Sequence, residues 1–180
     1  MTFTPLSYLP TPLDDAPRLS AELGVRILVK RDDLTGLALG GNKARKLDYL
    51  MRDALEKGCD TVVTAGGAQS NFARMTAAAA ARLGMSCHLV LSGEAPARFS
   101  GNLVLDRLFG AQLHFAGTDD WDELWQQVQR IAADAGPRAY PMPVGGATPV
   151  GALSYVQAAD ELLAQMDAPP DWIVLADGSG

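Results

Sequence analysis

The strongest chemical signal in the chain is a lysine on the first turn of a helix, directly after two glycines: Gly40-Gly41-Asn42-Lys43-Ala44-Arg45-Lys46. An amine in that setting is a candidate Schiff-base nucleophile, because partial desolvation and a second cation one turn later both favour the neutral form. Three solvated cations, Lys43, Arg45 and Lys46, at an ordinary helix start are the competing reading. A phosphate loop of the G-x-x-x-x-G-K-[ST] type fails in detail. Gly36 and Gly41 have the spacing, but Asn42 stands where the lysine belongs, Lys43 is displaced by one, and Ala44 offers no hydroxyl to magnesium.

Three further turns could hold an anion. Gly66-Gly67-Ala68-Gln69-Ser70-Asn71 passes from a strand into a helix and aims backbone N–H groups at one spot, which suits a carboxylate or phosphate. An ordinary helix cap by Ser70 explains the same residues. Gly145-Gly146-Ala147-Thr148 and Gly178-Ser179-Gly180 carry the same ambiguity, the latter as the possible start of a phosphate cup. No G-x-G-x-x-G is present, His88 and His114 sit in apolar strands, and no Ser/His/Asp set is visible.

The elements that must position these residues alternate. Expected strands cover 26–30, 61–65, 86–92, 111–115, 138–141 and 172–176. Expected helices cover 19–24, 70–83, 101–109 and 119–135, one that Asn42 caps and Gly58 ends, and one running to Met166. The helix at 119–135 is amphipathic through Trp121, Leu124, Trp125, Val128 and Ile131. Such alternation predicts an α/β fold with a largely parallel sheet and right-handed crossovers. In open sheets of this kind ligands bind beyond the carboxyl ends of the strands, where the glycine turns fall.

Composition agrees with a folded catalyst or binding module. The 180 residues are 48% apolar and carry 15 basic against 21 acidic side chains, a formal charge of -6 that argues against nucleic acid or an anionic membrane as partner. Cys59, Cys87 and the two histidines lack metal-ligand spacing, so no metal is expected. Prolines at 5, 10 and 12, with no basic-then-apolar segment, predict neither signal peptide nor anchor, and hence a cytoplasmic protein.

Taken together, Lys30-Arg31-Asp32-Asp33-Leu34-Thr35-Gly36, the glycine–lysine motif through Leu47, and Gln69-Ser70-Asn71 resemble the D-cysteine desulfhydrase and 1-aminocyclopropane-1-carboxylate deaminase family. Gly101-Asn102-Leu103, Pro143-Val144-Gly145-Gly146 and Gly178-Ser179-Gly180 fit the same setting. The resemblance implies a two-domain pyridoxal-phosphate fold of type II, with 1–45 in a large domain, 46–144 in a small α/β domain and 145–180 returning to the large one. It implies Lys43 as covalent anchor and proton carrier and Ser70 as a catalytic group. It also implies Gln69, Ser70 and Asn71 at the substrate, Asn71 at the cofactor, and Gly178, Ser179 and Gly180 at its phosphate.

The implied reaction is a lyase or deaminase step on a small amino acid, D-cysteine first, with cysteate and the cyclopropane acid as alternatives, in a homodimer. The family has a polar residue where this chain has Phe72, so Phe72→His is expected to change substrate range with little effect on folding. Family members also continue beyond the phosphate loop, so the chain looks truncated there. The alternative reading is a non-catalytic fragment or a partial cofactor-binding module.

Overall fold

The computed structural model describes residues 5–176 and 178. A two-stranded antiparallel ribbon, β1 (Leu13–Asp15) and β2 (Leu28–Lys30), brackets helix α1 (Pro17–Leu23), which Gly24 ends in the left-handed conformation. Two single-turn 3-10 segments, Asp32–Leu34 and Leu37–Leu39, then lead to α2 (Lys43–Glu56). Strand β3 (Thr61–Gly66), α3 (Asn71–Leu83), β4 (Ser86–Leu91), α4 (Asn102–Leu108), β5 (Gln112–Phe115), α5 (Trp121–Ala135), β6 (Ala139–Met142) and α6 (Pro149–Ala164) complete the order.

The main sheet runs β5-β4-β3-β6 and every pairing in it is parallel. The chain steps outward from β3 to β4 to β5, then returns to place β6 on the opposite side of β3. That reversal puts a topological switch point at the carboxyl ends of β3 and β6, the place where a crevice opens in folds of this class. Thr64, fully buried in β3, donates to the Met142 carbonyl of β6 across this join at 3.0 Å.

Both faces of the sheet are covered, as a parallel sheet requires. On one face Leu89, Leu91 and Val62 meet Leu47, Leu50, Met51, Met75 and Ala77 of α2 and α3, and Leu103 of α4. Alanines at 77–80 let α3 lie close against the strands. On the other face Val63, Ala65 and Val90 pack on Leu124, Val128 and Ala132 of α5.

Four expectations are corrected. Residues 172–176 are not a strand: among the described residues no strand pairs with them, and without a ladder partner the Ile-Val-Leu pattern stays irregular and exposed, Val174 at 93%. Leu13–Asp15 is a strand that alternation alone did not mark; it exists through its pairing with β2. Asn42 does not cap α2 with its side chain, because it has already taken helical dihedrals and its amide reaches elsewhere. Trp121, at the first position of α5, is 53% exposed, beyond the reach of the sheet.

Candidate active site

The lysine loop is built by close backbone approaches. Gly40 has φ 75°, and a Cβ there would collide with the Asp33 carbonyl. Gly41, at φ 131°, would press a Cβ onto the Met75 methyl at 2.5 Å. Thr35, fully buried, clamps the turn from the other side: its hydroxyl donates to the Gly41 carbonyl at 2.8 Å and accepts from the Gly41 N–H at 2.9 Å. The two motifs around Thr35-Gly36 and Gly40-Gly41 are therefore one structural unit.

Lys43 leaves this unit half-buried at the start of α2. Among the described residues no hydrogen bond or ion pair holds its Nζ, whereas its neighbours are committed. Arg45 is 1% exposed and forks onto Asp32 and Glu161, with N···O distances of 2.8 to 3.0 Å. Lys46, equally buried, donates to the Gly145 carbonyl at 3.2 Å and lies over the Tyr155 ring, 5.6 Å from its centroid.

Lys46 and Tyr155 also line a cavity of about 270 Å³ with Ala147, Thr148, Pro149 and Ala152, at the N-terminus of α6. The Asn42 amide donates to the Tyr155 hydroxyl at 2.7 Å, which ties the residue before Lys43 to the wall of that cavity.

The second turn faces the first across the switch point. Ser70 accepts from the Ala73 N–H at 3.1 Å and caps α3, as the plain reading of the residue expects. Gly66 allows this, since a Cβ on it would lie 2.7 Å from the Ser70 side chain. Asn71 is exposed. Gln69 is engaged at both ends of its amide, accepting from the Asn102 N–H at 2.9 Å and donating to the Ser100 carbonyl at 3.1 Å. It braces the turn at 100–102. Gly178 is exposed, and Ser179 and Gly180 lie outside the described residues.

Sequence reasoning missed one residue at this junction. Arg74, on α3 and only 7% exposed, donates to Asn71 Oδ1 at 2.8 Å, to Asn102 Oδ1 at 3.1 Å and to the Gly40 carbonyl at 3.1 Å. An arginine between Ala73 and Met75, one turn before the alanines at 77–81 of an otherwise apolar helix, was the signal that could have found it.

Phe72 differs from its expected role. It is 3% exposed in the core, with its ring against Gly146, where a Cβ would sit 3.0 Å from Cζ. A substrate contact by this side chain has no support in that placement. Phe72→His is therefore expected to cost about 2–4 kcal/mol, because it shrinks a packed ring and buries an unpaired N–H. Urea denaturation of the two proteins measures it; a loss below about 1 kcal/mol would contradict the burial.

Among the described residues no cluster of three or more His, Cys, Asp or Glu is arranged to hold a metal ion, and no helix is long and apolar enough to cross a membrane.

The family model described as "Pyridoxal-phosphate dependent enzyme" matches residues 5–180. A Pyrococcus abyssi protein named "Putative 1-aminocyclopropane-1-carboxylate deaminase" is 45% identical over 176 residues, covering 94% of this chain and 53% of that protein. The D-cysteine desulfhydrase of Klebsiella pneumoniae is 45% identical over 179 residues, covering 94% and 54%. A crystal structure of a homologue of 1-aminocyclopropane-1-carboxylate deaminase superposes with a TM-score of 0.84 at 42% identity, over 91% of this chain and 50% of that one. The chain thus spans about half the length of the curated relatives it matches.

Proposed function

We propose, since this chain belongs to the pyridoxal-phosphate-dependent enzyme family, that it carries the lysine and substrate turns of a lyase or deaminase acting on a small amino acid. D-cysteine, yielding pyruvate, sulfide and ammonia, is the favoured substrate; cysteate and 1-aminocyclopropane-1-carboxylate are the alternatives. The observation that carries the reading is the meeting of two turns at the β3/β6 switch point: the Gly40–Lys43 loop and the Ser70-Asn71 turn, both reached by Arg74.

The residues present fit pyridoxal 5'-phosphate. A half-buried lysine without a structural partner among the described residues opens α2, directly after Asn42, whose amide reaches the Tyr155 hydroxyl in the wall of the cavity. When bound, the cofactor supplies an electron sink for a substrate carbanion. The chain's own residues bind and orient: Lys43 Nζ anchors the cofactor and carries the substrate proton, and Ser70 and Asn71 hold the substrate carboxylate and the ring hydroxyl. Gln69 joins that turn to the one at 100–102, and Gly178, Ser179 and Gly180 would meet the cofactor phosphate.

The division into 1–45, 46–144 and 145–180 is part of this proposal, with α2 running unbroken across the first boundary. A cytoplasmic homodimer completes it. The second reading is a non-catalytic folded fragment or a partial cofactor-binding module, in keeping with a chain that spans about half the length of its curated relatives.

The deciding experiment titrates the protein with pyridoxal 5'-phosphate by absorbance, traps with borohydride, maps the modified peptide, and assays sulfide from D-cysteine and ammonia from all three acids. Trapping at Lys43 with product release supports the enzyme; trapping without release supports the partial cofactor-binding module; no trapping removes both of these and leaves the non-catalytic fragment. Within the enzyme, Ser70→Ala is expected to lower kcat/KM by tenfold or more while stability falls by about 1 kcal/mol, the usual worth of a cap. If kcat/KM changes no more than stability does, Ser70 is a cap alone.

A further inference from the structure

Asn71 and the lysine loop belong to different parts of the chain, and one side chain sets both. Arg74 has five N–H donors and no acceptor. Only the oxygen of the Asn71 amide can face it, and the Asn102 amide donates to the same oxygen at 3.2 Å. The Asn71 amide nitrogen must then point the other way, out of the protein, where Asn71 is exposed. The second arm of Arg74 meets the Gly40 carbonyl, three residues before Lys43.

We infer that Arg74 is a positioning residue that turns the Asn71 Nδ2 hydrogens toward the ligand side and couples that setting to the lysine loop, so that Asn71 is built to meet an acceptor oxygen. The inference rests on the proposed function for the identity of that oxygen, a carboxylate or ring oxygenate, but not for the orientation itself.

Asp106 of α4 supplies the counter-charge. It is 1% exposed and attracts the guanidinium without forming an ion pair. Arg74 Nε and Asp106 Oδ1 are both buried and have no hydrogen-bond partner among the described residues. Burial lowers the pKa of the guanidinium and pushes the Asp106 carboxyl up to about 7, against the pull each exerts on the other. A cation retained at such cost, with three carbonyl-type oxygens as its partners, has a geometric task that a packed apolar side chain could not perform. Lysine could not replace it, since one ammonium cannot fork across the Asn71, Asn102 and Gly40 oxygens.

The test compares wild type, Arg74→Lys, Asn71→Asp and the double variant in the full chain. Asn71→Asp keeps an oxygen for Arg74 and removes the outward donors. Without cofactor, the Asn71 side-chain NH2 pair in a nitrogen–proton correlation spectrum is expected to be one sharp pair in wild type and displaced or broadened in Arg74→Lys. With pyridoxal 5'-phosphate, both single variants are expected to weaken cofactor affinity by about tenfold to a hundredfold and to move the absorbance band in the same direction. The double variant should be no worse than Asn71→Asp alone. If Arg74→Lys does not fold, Arg74→Gln combined with Asp106→Asn, which removes both buried charges, replaces it in each comparison.

An unchanged Asn71 NH2 pair in Arg74→Lys, or wild-type band and affinity beside a changed Asn71→Asp, would overturn the inference. Fully additive losses would do the same. Absence of wild-type trapping on Lys43 would instead remove the proposed function and leave the orientation to be decided by the NH2 spectrum.

Discussion

Lys43→Ala is expected to abolish borohydride trapping of pyridoxal 5'-phosphate and to lower turnover by roughly a thousandfold or more, the scale on which loss of a covalent nucleophile acts. The chain holds four lysines, so the attachment point is a choice among Lys30, Lys43, Lys46 and Lys57. Three are engaged. Lys30 Nζ pairs with Glu161 and donates to the Thr11 carbonyl at 2.7 Å. Lys57 Nζ pairs with Asp53 at 2.6 Å, away from the glycine turns. Lys46 is buried under Tyr155, where truncation would open the core. Half-buried Lys43 can be shortened with little effect on stability, within about 0.5 kcal/mol. The expected signature is loss of trapping at a nearly unchanged urea midpoint. A reduced cofactor mapped to Lys46, Lys30 or Lys57 would transfer the role to that residue.

What the sequence made legible, and what it did not, follows from the range of the interactions concerned. Alternating apolar strands and helices marked out β3, β4, β5, β6 and the helices between them, because burial on both faces of a parallel sheet is written in local composition. Gly58 was readable as the end of α2, since glycine takes the left-handed conformation without strain. The stretch at 172–176 misled for the converse reason: an Ile-Val-Leu run has strand character, but a ladder needs a neighbour that no local pattern announces.

Asn42 misled in the same way. Its residue type suits a helix cap, yet its amide is used 113 positions along the chain, by Tyr155. Ser70 was legible as a cap because that bond is local, to Ala73. Arg74 was not, because its meaning lies in three oxygens from separate segments. The site's chemistry-bearing residues were visible; the groups that orient them were not.

Arg45→Met is the second change expected to have a large effect, and it acts through the same first turn of α2 that carries Lys43. The Arg45 guanidinium gathers Asp32 from the loop after β2, Glu161 from α6, and the Thr11 hydroxyl at 3.0 Å from the N-terminal segment. Methionine would leave the mostly buried Asp32 carboxylate without its cation and Glu161 with Lys30 alone, a loss on the order of 3–5 kcal/mol against a usual domain stability of about 5–15 kcal/mol. The acid response shows whether this network is the cause. Burial alone would raise the Glu161 carboxyl, but hydrogen bonds from Arg45, Lys30 and the Thr11 N–H hold it down at about 2. A carboxylate depressed in the folded state stabilises fully above its unfolded value near 4.5, and that contribution disappears as pH falls through the folded value. Wild type is therefore expected to lose up to about 3 kcal/mol from this group between pH 5 and 2. In Arg45→Met the main hydrogen-bonding partner is gone and the Glu161 carboxyl moves back up, so the variant starts less stable but has less left to lose over the same interval. Urea midpoints measured at intervals from pH 7 to 2.5 give both slopes. Parallel slopes for the two proteins would mean that Arg45 does not hold Glu161 ionised, and the first turn of α2 would then owe its position to apolar packing alone.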